Sequence, residues 1–309
     1  MKKLPILAVV MILALGVTSV ALSQFSTVRP SALKGSWYPA DREALERQVE
    51  TFLERVPPSA EGKNIVGMIS PHASYAYSGE VAAWGYKNLS GLSFRRVIIL
   101  APSHYVPFEG VSIPRVGFYE TPLGQVRVDQ KSCGYLLKKP LFQSIQQAHL
   151  KEHAVEIQLP FLQRTLEDFT LIPLLVGSLK EEDYESVSNE LKRLIDPNTL
   201  FIASSDFTHF GPRFGYVPFT SDFKENISRL DRGAIDLILG KDWEGFLAYR
   251  ERTQATICGF RPIALLLKVL PSNTHGKLLR YRLSGDITGD YTNSVSYASI
   301  IFMKAGNEG

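Results

Sequence analysis

The stretch Ile65-Val-Gly-Met-Ile-Ser-Pro-His72 is a short apolar run that ends on a histidine. The pattern recurs as Val97-Ile-Ile-Leu-Ala-Pro-Ser-His104 and, in a third form, as Leu200-Phe-Ile-Ala-Ser-Ser-Asp206-Phe-Thr-His209. Continuous apolar runs of this length are typical of parallel strands buried on both faces. In open α/β sheets, ligands bind just outside the carboxyl ends of such strands. The three runs therefore predict strands whose ends carry these histidines and the aspartate into one polar pocket.

The rest of the chain alternates between helical and strand-like patterns, which is typical of an α/β protein. We predict helices at about 41–53, 79–89, 152–165, 181–195, 222–239, 243–252 and 261–270. Two closing strands, at 278–283 and 294–302, can pair antiparallel. No linker-like change of composition interrupts 25–304. We therefore predict a single α/β domain with a central mixed, largely parallel β-sheet flanked by helices.

Composition and charge exclude some classes of function. The chain has 309 residues, 45% of them hydrophobic, which supports a sizeable core and argues against disorder. The formal net charge is +3 at pH 7, and no long basic run is present. Proteins that follow nucleic acid normally cluster their Lys and Arg residues. Nucleic acid is therefore not expected as a partner.

The N-terminus has the pattern of a secretory signal peptide. Lys2 and Lys3 precede an apolar stretch from Leu4 to about Leu22, and small residues then allow cleavage after Ser23 or after Ala21. Cleavage predicts export of the mature chain, to a periplasm or to the outside of the cell. The alternative is an uncleaved anchor, because the apolar run is nearly long enough to span a bilayer. A membrane is expected as a partner only in that case.

The residues at the strand ends are suited to metal binding. Histidine is the commonest protein metal ligand. Two histidines with a third, anionic ligand form a typical transition-metal site, and a carboxylate or thiolate as third ligand favours different metals. Asp206 and His209, three residues apart, can act as ligand and base or can support the ligands. The cysteines, Cys133 and Cys258, can form a disulfide only if their Cα atoms come within bridging range, which the sequence leaves open.

Other histidines and aromatic residues have weaker patterns. His149 and His153 have the spacing of one helix face, but Leu150 stands where a zinc-protease motif needs glutamate. We expect His149 at the surface or capping a helix. Four loop aromatics can line a pocket for a planar ligand or serve in ordinary packing: Trp37, Tyr38, Tyr75 and Tyr77.

Eight stretches together resemble a known family. They are Gly35–Pro39, Ser70–Gly79, Leu100–His104, Thr121–Gly124, Glu152–Leu162, Ser204–His209, Ile257–Gly259 and Ser294–Tyr297. In this order they resemble the Memo-like family, also called the AmmeMemoRadiSam system protein B group. The resemblance covers about 28–303, which we take as the domain, between a signal peptide at 1–23 and a short tail at 304–309.

The resemblance implies a fold like that of the class III extradiol (LigB-like) dioxygenases, which bind non-haem iron through two histidines and a glutamate. In Memo-like proteins two histidines and a cysteine occupy the equivalent places. Carried over to this chain, the metal ligands are His72, His104 and Cys258. The resemblance thus implies a transition-metal cofactor, iron first, with copper or zinc as alternatives.

The resemblance also suggests roles for residues around the metal. His209 matches the acid–base histidine of the dioxygenases, and Asp206 beside it is expected to orient it. Trp37 and Tyr77 match aromatic residues that line the pocket, and His153 lies in a strongly matching stretch. We expect these three side chains to line the substrate pocket.

Three hypotheses about function follow. The first is a metal-dependent redox enzyme with oxygenase-like chemistry. The second is a binding module whose pocket holds a small aromatic molecule, or a phosphorylated ligand or peptide, without turnover. The third is a protein that sequesters a metal ion.

Overall fold

Strands and helices alternate along the chain in this computed structural model, which describes residues 27–57 and 64–305. The strands are β1 (Val28–Arg29), β2 (Ile65–Ser70), β3 (Arg96–Pro102), β4 (Val111–Ser112), β5 (Phe118–Thr121), β6 (Gly124–Arg127), β7 (Phe142–Gln143), β8 (Thr170–Val176), β9 (Thr199–Ser204), β10 (His209–Phe210), β11 (Thr274–Leu283) and β12 (Ser294–Lys304). The helices are α1 (Arg42–Glu54), α2 (Tyr75–Lys87), α3 (Gln130–Leu136), α4 (Gln146–Leu150), α5 (His153–Glu156), α6 (Leu159–Thr165), α7 (Glu181–Lys192), α8 (Phe223–Leu239), α9 (Trp243–Thr253), α10 (Phe260–Val269) and α11 (Gly285–Thr288), with a 3-10 turn at Pro212–Phe214.

The predicted signal peptide and the predicted tail lie at the two ends of the chain. The predicted signal peptide, 1–23, and the last four residues of the tail, 306–309, lie outside the described residues. Export therefore stays a prediction. Within the described ranges, no helix is both long enough and apolar enough to cross a membrane.

The apolar runs lie at the centre of the main sheet. Within the described residues this sheet has nine strands in the order β10–β12–β2–β9–β3–β8–β4–β7, with β11 paired to β12. Strands β2, β9, β3 and β8 are mutually parallel, whereas β12 runs antiparallel to β2 and to β11. A smaller sheet has the order β1–β5–β6. The predicted single α/β domain with a central mixed sheet flanked by helices is confirmed, and the parallel strands β2, β9, β3 and β8 lie together at the centre of the sheet.

Burial explains the composition of the central strands. Residues 97–101 of β3 have no exposed surface, because α10 packs against β3 and β9. On other strands of the sheet, α2 packs against β2 and β12. Burying a Val, Leu or Ile side chain fully contributes about 1.5–3 kcal/mol each, so these runs hold the sheet and its edge in place. The register aligns Ser70 with Ser204, so strands β2 and β9 end level with one another.

His149 is buried, so the expected surface or capping position was wrong. Its side chain is 1% exposed, and its Nε2 lies 3.0 Å from the Ser112 hydroxyl on β4. The reason is tertiary: the backbone carbonyl of His149 accepts a hydrogen bond from Arg29 Nε at 2.9 Å, which draws α4 into the interior. The sulfurs of Cys133 and Cys258 are both free, so the structure contains no disulfide between them.

The burial of His149 predicts that the free energy of unfolding falls in acid. Burial lowers the pKa of His149 from 6.5 to about 3, because the imidazolium would lose its hydration and lie near Arg29. Between these two pH values the unfolded chain binds more protons, so the free energy of unfolding falls as the pH falls. We expect His149→Gln to flatten this dependence between pH 6 and 4, by up to about 1.4 kcal/mol per pH unit.

Urea denaturation at several pH values measures this slope. The matched control is His275→Gln, since His275 is exposed on β11. Equal slopes in wild type and His149→Gln would contradict the prediction.

Candidate metal centre

The ends of three adjacent parallel strands bring their polar residues together. His72 follows β2, Asp206 follows β9 and His104 follows β3, and the rings of the two histidines lie 5.1 Å apart between centroids. All three residues line a cavity of about 630 Å³, together with His153 and His209. Cavities of this size are typical of small-molecule sites. The predicted convergence of the strand ends is thus present in the fold.

Cys258 reaches this site from a distant part of the chain. It lies just before α10, and its Sγ is 3.0 Å from His72 Nε2. The next residue, Gly259, packs so closely on the end of β9 that a Cβ there would lie 2.4 Å from Ser205 Cβ. A larger residue beside Cys258 would therefore clash with the end of β9, which explains glycine at this position.

Hydrogen bonds define which nitrogen of His72 carries the proton. Gln158 Nε2 donates to the Ser204 hydroxyl at 2.8 Å, and that hydroxyl donates to the Ala154 carbonyl at 2.6 Å. The Ser204 oxygen therefore accepts from His72 Nδ1, 3.0 Å away. Consequently the lone pair of His72 Nε2 faces the thiol of Cys258.

Two other histidines of the cavity also carry the proton on Nδ1. His104 Nδ1 donates to Glu152 Oε1 at 2.9 Å, and His209 Nδ1 lies 3.0 Å from the Phe207 carbonyl. His153 Nδ1 lies 3.4 Å from the Tyr105 hydroxyl and 3.4 Å from Glu152 Oε1. For His104 and His209 the acceptor holds the proton on Nδ1 and leaves the Nε2 lone pair available, as in metal-binding histidines.

The electrostatics of the site favour neutral imidazoles and a neutral thiol. Burial, reinforced by the neighbouring histidines, holds the pKa of His72 well below its usual value. Burial also lowers the pKa of His153 to about 4. The pKa of the Cys258 thiol is raised by burial and by Asp206, although the backbone N–H groups of Asp206 and Gly259 oppose the shift. A bound cation would favour the thiolate, the form in which cysteine binds metals.

Within residues 27–57 and 64–305, two groups of side chains can hold a metal ion, and they share His72. In one, ligand atoms of His72, His104 and His153 lie within 4.8 Å of one another. In the other, the same holds for His72, Asp206 and Cys258. The three predicted ligands are divided between these groups, with His72 in the middle. Their use as one ligand set stays a prediction.

Asp206 occupies a different place from the one expected. Its Oδ1 accepts hydrogen bonds from the backbone N–H groups of His72, at 2.7 Å, and Ala73, at 3.3 Å. The ring of His209 is oriented instead by the carbonyls of Phe207 and Thr256. Burial raises the pKa of Asp206, and the nearby His209 opposes that shift. Asp206 therefore supports the loop of His72 and lies beside His209 without orienting it.

Two of the four loop aromatics reach the cavity. Trp37 and Tyr77 line it, and the Trp37 ring lies 4.5 Å from the ring of His153. Tyr77 is 41% exposed, whereas Tyr38 and Tyr75 are buried in the core. The cavity thus has one aromatic wall beside the histidines, and packing accounts for the other two rings.

The match to a family covers nearly all of the described chain. Residues 29–301 match the sequence profile described as Memo-like protein. The chain belongs to the Memo-like family. The protein named Protein MEMO1 from Homo sapiens is 35% identical over 288 residues, which cover 88% of this chain and 96% of that protein. Protein memo-1 homolog from Caenorhabditis elegans is 34% identical, over 89% of this chain and 83% of that protein.

One solved structure has a partly similar fold. It is an uncharacterized protein from Escherichia coli K12, with 11% sequence identity and a TM-score of 0.46, covering 77% of this chain and 99% of that one.

Sequence reasoning missed the residues that hold the histidines of this Memo-like protein. Glu152 receives the backbone N–H of His104 on Oε2 at 2.8 Å, as well as its imidazole on Oε1. For His72, the Ser204 hydroxyl accepts the Nδ1 proton, and Gln158 donates in turn to that hydroxyl. The available signal for Glu152 was its position directly before His153 in a strongly matching stretch. Its partner, His104, lies 48 residues away in the sequence.

The contacts of Glu152 predict that replacing it lowers the free energy of unfolding. Three N–H groups donate to its two oxygens, two from His104 and one from the backbone of Ala154. In Glu152→Gln, the NH₂ group of the amide must face at least one of these N–H donors in a buried place. We expect the free energy of unfolding to fall by about 1–3 kcal/mol, the cost of an unsatisfied buried group.

Chemical denaturation measures this change. Glu120→Gln is a matched control, because Glu120 forms a surface pair with Lys34 at 3.6 Å. That variant is expected to stay within about 0.5 kcal/mol of wild type. A loss at Glu152 no larger than that of the control would contradict the assignment.

Proposed function

We propose that this Memo-like protein binds a transition-metal ion through His72, His104 and Cys258, and that the loaded site performs oxygenase-like redox chemistry on a small aromatic molecule. The observation that carries the proposal is the state of the histidines. His72, His104 and His209 line the same cavity, each with its Nδ1 proton held by an acceptor and its Nε2 unprotonated. Several converging lone pairs with a thiol beside them are suited to a cation.

The donor set fits late first-row metals. Neutral imidazoles suit zinc, copper and iron, and thiolate ligands shift the preference towards soft or borderline metals. We propose iron first, with copper and zinc as alternatives. When bound, iron or copper would supply Lewis-acid and one-electron redox chemistry, whereas zinc would supply Lewis-acid chemistry alone.

The chain's own residues would bind the organic substrate and move its proton. Trp37 and Tyr77 form walls against which an aromatic ring can pack. His209 lines the same cavity with Nδ1–H held by two carbonyls, so its Nε2 can accept a proton from a phenolic hydroxyl. These roles account for an aromatic wall and an imidazole base in one cavity.

Metal analysis of the wild-type protein tests the proposal first. The chain is produced without residues 1–23, purified under reducing and anaerobic conditions, and its iron, copper and zinc are measured before and after loading. We expect close to one ion per chain. The loaded protein is then supplied with catechols while oxygen consumption is recorded.

The two stages separate metal binding from turnover. Absence of metal, even after exposure to Fe(II), Cu(I) and Zn(II), would overturn the proposal and leave a metal-free binding module. A loaded protein that consumes no oxygen with any catechol would overturn the oxygenase part and favour metal sequestration.

A further inference from the structure

A second cleft lies among the helices, away from the histidines. It has a volume of about 620 Å³, is formed by α7, α9 and α10, and shares no described residue with the histidine cavity. The rings of Tyr184, Trp243 and Phe260 line it, together with the side chains of Arg250 and Arg261. Apolar walls with a few polar groups are typical of small-molecule sites. The cleft is thus large enough to hold a ligand of its own.

The two arginines of the cleft lack a buried counter-charge. The guanidinium carbons of Arg250 and Arg261 lie 4.4 Å and 4.5 Å from the centroid of the Phe260 ring. Within residues 27–57 and 64–305, the Arg261 side chain forms no hydrogen bond or ion pair. Arg250 pairs at 3.6 Å with Glu251, whose side chain is 78% exposed, and its own buried Nε has no hydrogen-bond partner. Burial lowers the pKa of Arg261, and the nearby Arg250 adds to that shift.

Tyr184 adds a hydrogen-bond donor beside the two arginines. Its side chain lines the cleft although the residue is only 3% exposed, and its hydroxyl has no hydrogen-bond partner in the described parts of the chain. A buried tyrosine hydroxyl usually has such a partner. Burial raises the pKa of Tyr184, and Arg261 and Arg250 oppose that shift, so the hydroxyl lies near both positive charges. An oxyanion in the cleft can accept hydrogen bonds from all three side chains.

The acidic residues that line the cleft do not neutralise Arg261. Glu181 and Glu244 are exposed and lie in the first turns of α7 and α9. Carboxylates in such positions are stabilised by the positive end of the helix dipole. Among the described residues, neither glutamate forms an ion pair with Arg250 or Arg261. The charge of Arg261 is therefore available to an anion from outside the described chain.

We propose that this cleft binds a small organic anion, a phosphate or carboxylate carried on a planar body. The oxygens of the anion accept hydrogen bonds from Arg250, Arg261 and Tyr184, because a guanidinium presents paired N–H groups that match both kinds of oxyanion. The planar body packs against Trp243, whose ring lies 5.8 Å from the ring of Tyr184. This site goes beyond the proposed metal chemistry and does not depend on it.

Calorimetric titration with matched probes tests the site. Purified wild-type protein is titrated at low salt with inorganic phosphate, with benzoate and its neutral analogue benzamide, and with adenosine monophosphate and its neutral analogue adenosine. We expect at least one of the two organic anions to bind about tenfold more tightly than its neutral analogue and than phosphate. The tighter of the two assigns the ligand as a carboxylate or a phosphate.

Two results with wild-type protein would overturn the inference. One is the absence of binding of both organic anions below about 10 mM. The other is binding of a neutral analogue as tight as that of its anion, because the arginines would then have no part in it. Inorganic phosphate that binds as tightly as the organic anions would overturn the role of the aromatic wall.

Substitutions locate the anion in the cleft. Arg261→Gln and Arg250→Gln should each weaken binding of the tighter anion at least about tenfold, since each removes a charge-assisted hydrogen bond. We expect Tyr184→Phe to weaken it about three- to tenfold. Arg232→Gln is the matched control, because Arg232 pairs with Asp236 on the exposed face of α8, and should keep the affinity within about twofold. Unchanged affinity in Arg261→Gln and Arg250→Gln would place the anion elsewhere and overturn the inference.

Chemical labelling of the wild-type arginines needs no variant to fold. Phenylglyoxal modifies accessible guanidinium groups, and mass spectrometry of peptides measures the extent at each arginine. The tighter anion, at a concentration well above its Kd, should slow labelling of Arg250 and Arg261 at least about threefold and leave Arg232 unchanged. Equal labelling rates at Arg250 and Arg261 with and without the anion would contradict the inference.

Discussion

His72→Ala is expected to abolish metal binding, with affinity for Fe(II), Co(II) and Zn(II) reduced by more than a hundredfold. His72 is the residue common to both metal-capable groups, so neither group keeps three donors without it. The imidazole is 1% exposed and its Nδ1 is held by Ser204, so it is already arranged for binding. Loss of one protein ligand from three or four typically removes most of the affinity, because the remaining donors must be completed by water.

His209→Ala is the matched control, because it makes the same change in another histidine of the same cavity. His209 belongs to neither group and should keep the metal affinity within about threefold. Metal content after dialysis and chelator competition measure both variants, and circular dichroism checks that both are folded. Near-stoichiometric metal in folded His72→Ala would show that the ion lies elsewhere.

Glu156→Gln is expected to lower the free energy of unfolding by about 3–5 kcal/mol, the usual cost of breaking a buried ion pair. Glu156 and Arg29 form such a pair, with side chains 0% and 1% exposed. Glu156 also accepts hydrogen bonds from Ser31, Tyr38 and two backbone N–H groups, those of Ala32 and Leu33. In Glu156→Gln, the neutral amide leaves the charge of Arg29 uncompensated. Its NH₂ group also faces one of these donors, and two donors cannot bond to each other.

Urea denaturation of the wild type and three variants checks this result. Glu50→Gln is the surface control, since Glu50 pairs with Arg164 where its side chain is 45% exposed, and should cost less than about 1 kcal/mol. The double variant Arg29→Met, Glu156→Gln should recover part of the loss, because it removes the unpaired charge. Equal, small losses at Glu156 and Glu50 would contradict the role of the buried pair.

The pair at Glu156 also connects stability with the site. Arg29 donates to the carbonyls of His149 and Glu152, so one guanidinium spans the segment that carries both Glu152 and His153. The donors to Glu156 lie in the same N-terminal segment that carries Trp37. The N-terminal segment is therefore part of the cavity wall, and its loosening should disturb the site.

Local pattern predicted the strands and most helices well. The runs before His72, His104 and Asp206 form three adjacent strands as expected, and α1 begins after Asp41, whose carboxylate caps the N–H of Ala44 at 2.8 Å. Such signals lie within a few residues of each other, and strand burial or helix capping depends on them directly. The predicted helix at 152–165 is divided instead into α5 and α6, with Pro160 near the start of α6.

Long-range contacts were harder to predict. His149 has the spacing of a helix face, yet its place was decided by Arg29, 120 residues away in the chain. Likewise Glu152 meets His104 across 48 residues, and Cys258 meets His72 across 186. A single sequence records which residues are present but not which distant pairs meet.

The sequence by itself determined the fold class, the edge of the sheet at which the histidines gather and the Memo-like family. These follow from apolar periodicity and short motifs, whose physical effects act over one strand or one turn. Only the tertiary structure decided the proton positions on the histidines, the division of the ligands around His72 and the placement of Asp206. Those features depend on distances of about 3 Å between atoms from separate segments, which are set by how the whole sheet and its helices pack.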